Sequence, residues 1–223
     1  MTLELFNYPY SVYGRIVRIV LDEKKLSYDV REINPFAADM PESYRAIHPF
    51  ARVPALRHDE FTLYETSAIT AYLDERFEPP SLQPATSDER GRMRQIIAIA
   101  DNYAYIPLVR QVFAHRVFRP AFGETADEAE VRGGLDAAPR ILRALDDLVT
   151  ADAYATGPIF SLADAHLGAM MDYFTMAQEG AEMLTRYPNL NGWWARIKSR
   201  PSLLLTRPEL KSRLTPDNNS PHL

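Results

Sequence analysis

Residues 48 to 69 read His48-Pro49-Phe50-Ala51-Arg52-Val53-Pro54-Ala55-Leu56-Arg57-His58-Asp59-Glu60-Phe61-Thr62-Leu63-Tyr64-Glu65-Thr66-Ser67-Ala68-Ile69. A residue before proline is pushed out of the helical region, so Val53 is extended and its N–H and C=O are open to pairing. Pro54 then opens a strand, where its missing donor does least harm, and is a candidate for a cis bond. A free strand edge of this kind can pair with an extended peptide ligand. Ala55–Arg57 and Phe61–Leu63 flank a polar connection of hairpin length, His58-Asp59-Glu60. After Tyr64 the period changes: Ala68, Ile69, Tyr72, Leu73 and Phe77 recur at helical spacing, which puts Glu65 and Thr66 in the first turn of a helix. That turn offers unpaired N–H groups and a partial positive charge. The Thr66 hydroxyl suits a ligand carboxylate and Glu65 a ligand ammonium, so the pair can read the zwitterionic end of an amino acid. Taken alone, the two would be ordinary helix-cap residues. The adjacent Val-Pro corner shifts the reading to a binding site.

Outward from this stretch, residues 2 to 7 alternate as a strand. Ile16, Ile19, Val20 and Leu26 suggest a helix from Arg15 onward, and Tyr28 to Ile33 a second strand. Strand, helix, strand is a βαβ crossover, and the later hairpin and helix complete a thioredoxin-like α/β layer ending near Glu78-Pro79-Pro80. Asn34 to Phe50 is a connection with one helical turn around Glu42 to Ile47. Ser11 sits at or just before the first helix. Its hydroxyl is either an N-cap or, with the same geometry, a donor to a ligand thiolate at the positive end of that helix.

Arg52-Val53-Pro54-Ala55-Leu56 followed by Glu65-Thr66-Ser67-Ala68-Ile69 resembles the glutathione-binding half of the cytosolic glutathione S-transferases, serine-type and bacterial-like. That family's pattern is Asn-Pro-x-Gly-x-Val-Pro-x-Leu followed by Glu-Ser-x-Ala-Ile. The resemblance implies that Val53, before a cis Pro54, pairs with the cysteinyl part of glutathione, and that Glu65 and Thr66 hold the γ-glutamyl end. Ser11 then activates the thiol, since serine-type members place that serine seven residues before the arginine of a segment like Arg18-Ile19-Val20-Leu21. Tyr8 is the second candidate for this task. Tyr10 and Tyr13, beside Ser11, line the pocket for the electrophile. The sequence departs from the family at three of the motif positions, His48 for asparagine, Ala51 for glycine and Thr66 for serine; Ala51 suggests that no positive φ is needed there. A basic residue found upstream in several classes is missing near Met40, which makes Arg52 the candidate for the glycine carboxylate.

The second half, from Ser87 or Asp88, reads as all helical. Met93, Ile96, Ile97, Ala100, Ala104 and Leu108 keep helical spacing, and Pro107 is expected to kink that helix. Asp101, Tyr105 and Arg110 lie on this stretch, and Tyr105 and Arg110 are taken as lining of the electrophile pocket. Ala126 to Thr150 forms a further helix, tolerating Gly133-Gly134. Ser161 and Asp164 make a capping box, a structural device kept out of the ligand site. The tail from Pro216 is expected to be disordered.

Composition narrows the rest. With 223 residues, 46% hydrophobic and 25% charged, and a net charge of -5, the chain has an ordinary globular balance and no basic cluster, which argues against nucleic acid or an anionic membrane as partner. The absence of cysteine leaves any thiol chemistry to a ligand. No membrane-length apolar run and no leader point to a cytoplasmic protein. The five histidines lack carboxylates at ligand spacing, so no metal is expected. Phosphate-loop and nucleophile-elbow motifs are both missing. The expectation is a thioredoxin-like α/β domain, residues 1–80, joined to an all-α domain, residues 87–215, that contributes the electrophile pocket, together the glutathione S-transferase fold. The chain is expected to form a homodimer that uses glutathione as co-substrate against a small hydrophobic electrophile. The alternatives are a glutathione-dependent peroxidase, disulfide reductase or isomerase on the same site, and a non-catalytic ligand-binding or assembly protein.

Overall fold

The computed structural model describes residues 2–77 and 79–210, which form two compact units. The expected tail from Pro216 lies outside the described residues. The first unit comprises residues 1–81 together with Leu205–Pro208. Its elements are β1 (Leu3–Asn7), α1 (Val12–Glu23), β2 (Asp29–Glu32), α2 (Glu42–Arg45), β3 (Ala55–His58), β4 (Phe61–Tyr64) and α3 (Thr66–Arg76). The sheet order is β2-β1-β3-β4, with β1 parallel to β2 and antiparallel to β3, and β3 antiparallel to β4.

Side-chain alternation sets the two faces of this sheet. Leu5 pairs with Leu56, both are buried, and α1 packs against α3 around Ile16, Ile19, Val20, Ile69 and Leu73. Phe6 and Ala55 face the other way and are covered by Met40 and Tyr44, with Ile33, Ile47, Ala51, Val53 and Tyr64 packed around them. Met40, where the family resemblance pointed to a missing basic residue, is therefore a core side chain. Further along that face, Glu4 accepts from both Arg31 and Arg57 and ties β2 and β3 to β1. Those two guanidiniums hold its carboxyl below the usual range, burial acting weakly against them.

The segment Leu205–Pro208 completes the first unit. Buried Thr206 accepts through its hydroxyl from Arg15 Nε and through its carbonyl from Arg18 Nη1, both at 3.4 Å. At the other end of α1, the buried Lys24 ammonium donates to the Asp74 carboxylate at 3.0 Å and to the carbonyls of Asp74 and Pro80. All three of its N–H bonds are thereby used.

The second unit is helical. It begins with α4 (Ser87–Ile99), opened by Thr86 in a capping box with Glu89. The helix continues from Ala100 to Phe118 with the wider π winding and contains Pro107. Proline has no N–H to donate in either winding, and wide turns are one way a helix absorbs such a fault. Next come α5 (Arg119–Ala121), α6 (Glu128–Asp146), α7 (Leu162–Met176), α8 (Gln178–Leu184), α9 (Pro188–Ile197) and α10 (Pro201–Leu205). At Gly134 a Cβ would lie 2.6 Å from the Pro107 carbonyl, so glycine lets α6 approach the main chain of the wide helix. Helix α7 is buried from Leu162 to Phe174 and forms the centre of this unit. Its capping box is present: fully buried Asp164 accepts from Ser161 N and Oγ, from Ala155 N and, at 2.7 Å, from Trp193 Nε1.

Candidate functional site

Strand register brings the sequence-predicted residues to one end of the sheet. Ala55 pairs with Phe6 on one side and with Tyr64 on the other. The loop after β1, the segment before β3 and the start of α3 after β4 therefore open at the same edge. Ser11 belongs to the first of these, Arg52, Val53 and Pro54 to the second, and Glu65 and Thr66 to the third.

Ser11 is the N-cap of α1, in extended backbone with φ -69° and ψ 119°. Its Oγ accepts from Gly14 N at 3.1 Å. The hydroxyl proton is not spent in that bond, so one group both caps the helix and can donate outward. The helix begins at Val12, three residues earlier than the apolar spacing suggested. Gly14 allows this turn to close against β1, since a Cβ there would lie 1.7 Å from Asn7 Oδ1.

The Val53–Pro54 bond is cis. Among the described residues, neither the N–H nor the C=O of Val53 has a hydrogen-bond partner. The Arg52 carbonyl, by contrast, accepts from the buried phenol of Tyr44 at 2.5 Å. Ala51 has φ +53°, and its N–H closes a turn onto His48 O at 2.9 Å. The expectation that Ala51 marks a place where no positive φ is needed is therefore corrected. The left-handed penalty of a single alanine is about 1–2 kcal/mol, small enough for the turn and its packing to override.

Glu65 is the N-cap of α3 with φ +74° and makes no side-chain capping bond. The plain capping role, which the sequence left open, does not hold for this carboxylate. It is exposed, whereas Thr66 at the first helical position is buried. Arg52 is exposed too, and among the described residues its guanidinium makes no ion pair.

His48 sits between these charges. Its ring lies 4.8 Å from that of Tyr64 and is 3% exposed. Burial lowers its pKa; Glu65 acts upward and Arg52 downward. Tyr44 and His48 are the residues of this region that sequence reasoning passed over, the one as part of a connection and the other as a motif departure. A lone aromatic in the turn Glu42 to Ile47 was the available signal for the first.

The tyrosines near Ser11 separate into different surroundings. Tyr8 is buried against Tyr10 and Phe36, and burial, with Tyr10 and Glu32 adding, raises its phenol well above the ordinary range. A phenol so placed holds its proton firmly. Tyr10 and Tyr13 are half-buried, and burial raises Tyr10 as well. Tyr105 and Arg110 belong to the wide helix of the second unit, both half-buried. Asp101, on the same helix, lies 3.3 Å from Nδ1 of fully buried His166, a carboxylate partner that sequence spacing did not reveal.

The first unit is a thioredoxin-like sheet with the Val53–Pro54 arm, and the second is an all-helical unit centred on a buried capping box. Residues 5–81 match the family model of the glutathione S-transferase N-terminal domain, and residues 102–201 that of the C-terminal domain. The chain belongs to the glutathione S-transferase family. It is 28% identical over 215 residues to glutathione S-transferase F13 of Arabidopsis thaliana, covering 94% of this chain and 97% of that relative. It is also 28% identical over 171 residues to a stringent starvation protein A homolog of Haemophilus ducreyi, covering 76% of this chain and 73% of that relative. A solved glutathione S-transferase I bound with lactoylglutathione superposes with a TM-score of 0.80, at 24% identity, over 92% of this chain and 98% of that one.

Proposed function

We propose that the protein is a serine-type glutathione transferase, in which residues 1–80 hold glutathione. The observation that carries this reading is the shared sheet edge. With strands about 4.8 Å apart, the distance from β1 to β4 across β3 is roughly 10 Å, the reach of an extended tripeptide at about 3.3–3.6 Å per residue. Glutathione laid across that edge has its γ-glutamyl end at Glu65 and Thr66, its cysteinyl main chain on Val53 and its sulfur toward Ser11, with Arg52 for the glycine carboxylate. Glu65 takes the ammonium and Thr66 the carboxylate, helped by the N-terminus of α3.

Ser11 donates a hydrogen bond through its hydroxyl to the sulfur, keeps its own proton and accepts from Gly14 N through Oγ; it forms no covalent bond. The thiol proton passes to solvent, and the thiolate forms the S–C bond as the electrophile's leaving group departs with its electron pair, with Tyr10 and Tyr13 as apolar wall. Lowering a thiol pKa from about 8.5 to about 6.5 raises the thiolate fraction at pH 7 from roughly 3% to roughly 75%, for about 2.7 kcal/mol. One hydrogen bond and a helix N-terminus are together of that order. The acceptor is a small hydrophobic electrophile, and the protein acts as a cytoplasmic homodimer. Peroxidase, disulfide reductase and isomerase chemistry would use the same glutathione site, and a substrate screen separates them.

The non-catalytic reading would draw on the departures at Met40 and Ala51, and the second is weakened because Ala51 adopts the left-handed φ that glycine favours. The test is calorimetric titration with glutathione of the wild type and of a Glu65→Ala, Thr66→Ala variant, alongside thiolate absorbance in Ser11→Ala. The expectation is micromolar to millimolar binding lost in the double variant, and a raised thiol pKa with unimpaired binding in Ser11→Ala. No binding by the wild type would sink the transferase reading.

A further inference from the structure

We propose that Tyr44 is a positioning residue for glutathione, acting through the main chain at Val53; this rests on the glutathione reading above. The Tyr44 phenol, 2% exposed, donates to the Arg52 carbonyl at 2.5 Å. That carbonyl and the Val53 N–H belong to one peptide unit, which is planar. The Arg52–Val53 bond is trans, so its C=O and N–H point in opposite directions. Fixing the carbonyl toward α2 therefore turns the Val53 N–H away from α2, where it has no protein partner among the described residues.

The same residue is held at both its side chain and its main chain. The Tyr44 ring packs on Phe6 at a centroid distance of 5.5 Å, and its backbone carbonyl accepts from Ile47 N and His48 N, each at 2.9 Å. Val53 and Ala51 lie against the same cluster. Tyr44 thus links the sheet core to the peptide unit that presents the Val53 N–H to a ligand main chain. An unanchored peptide plane would rotate in the free protein and pay that freedom back on binding. One neutral hydrogen bond is worth on the order of tenfold in affinity.

The test is Tyr44→Phe, which removes one oxygen and keeps the ring that fills the core. Glutathione affinity is measured by calorimetry, kcat and KM with an activated aryl halide, the thiol pKa of bound glutathione by thiolate absorbance, and Tm by scanning calorimetry. The expected result is affinity about tenfold weaker, KM for glutathione raised to match, kcat at saturation within twofold, and an unmoved thiol pKa. A purely structural tyrosine would lower Tm and leave affinity unchanged, which overturns the proposal. A shifted thiol pKa also overturns it, because the effect would then run through Ser11. If the variant melts too low to titrate, 3-fluorotyrosine at position 44 keeps the ring and strengthens the donor; unchanged affinity there counts against the proposal, and tighter binding for it. A wild type that binds no glutathione removes the parent reading and this one together, whereas a binding wild type with an equally binding Tyr44→Phe removes this one alone.

Discussion

Replacing Gly14 by alanine sets two effects of opposite sign against each other. Gly14 lies in the first turn of α1, where alanine gains up to about 1 kcal/mol of helix propensity over glycine. The new Cβ, however, would lie 1.7 Å from Asn7 Oδ1 and 2.9 Å from Asn7 Cγ, well inside contact distance. Asn7 is 4% exposed, so its amide must turn within a packed interior, and overpacking of this kind costs about 1–3 kcal/mol. Among the described residues Asn7 Oδ1 has no hydrogen-bond partner, so moving it breaks no bond there and the cost is steric. The net expectation for Gly14→Ala is about 1 kcal/mol of destabilisation, seen as a Tm lower by about 2–4 °C in a chain of this size. With Asn7→Ala as the background the obstacle is gone, and Gly14→Ala should raise Tm by up to about 2–4 °C over that single variant. Thermal denaturation of the four proteins completes the double-mutant cycle. The same Tm shift in both backgrounds would refute the argument, because the obstacle would then not be Asn7.

At position 51, Ala51→Gly should change Tm by no more than about 2 °C, since relief of the left-handed conformation is offset by the entropy of glycine in the unfolded chain. Ala51→Val should cost more than about 1 kcal/mol, as judged by chemical denaturation, because a β-branched residue tolerates φ +53° poorly. His115 accepts from Asp127 N through Nδ1, which requires the neutral ring, and burial lowers its pKa from 6.5. The unfolded chain therefore takes up this proton first, so the contribution of His115 is full above about pH 6.5 and is lost as pH falls from there through the lower folded value. Unfolding free energies between pH 5 and 8 should show this slope, reduced in His115→Gln; an unchanged slope would remove His115 as its source. Asp164→Ala leaves the Trp193 indole and the amides of Ala155 and Ser161 without their acceptor, and should cost on the order of 3 kcal/mol or more in denaturant titrations.

The parts of this molecule that were legible in the sequence are those written in local chemistry. Val53-Pro54 announces an extended arm, Glu65-Thr66 a helix start, and Ser161 with Asp164 a capping box, because each depends on residues a few positions apart. What escaped depends on tertiary context. The left-handed Ala51 costs about as much as one side-chain contact repays, so residue type alone points the wrong way. The bond from Tyr44 to the Arg52 carbonyl spans eight residues without any periodic pattern to mark it. Asp101 and His166 are 65 residues apart and meet only when α7 packs on the wide helix. The winding of that helix is likewise invisible in its apolar spacing, which fits a regular α-helix as well.

The segment Leu205–Pro208 has a bearing on how the chain is made. Arg15 meets Thr206 across 191 residues of sequence, so the first unit is completed only by a segment synthesised after most of the second. Until that segment emerges, the helix capped by Ser11 lacks its contacts with Thr206 through Arg15 and Arg18. The footing of that helix is thereby tied to the segment around Thr206, and a chain cut before it would carry the sheet without the Arg15 and Arg18 bonds.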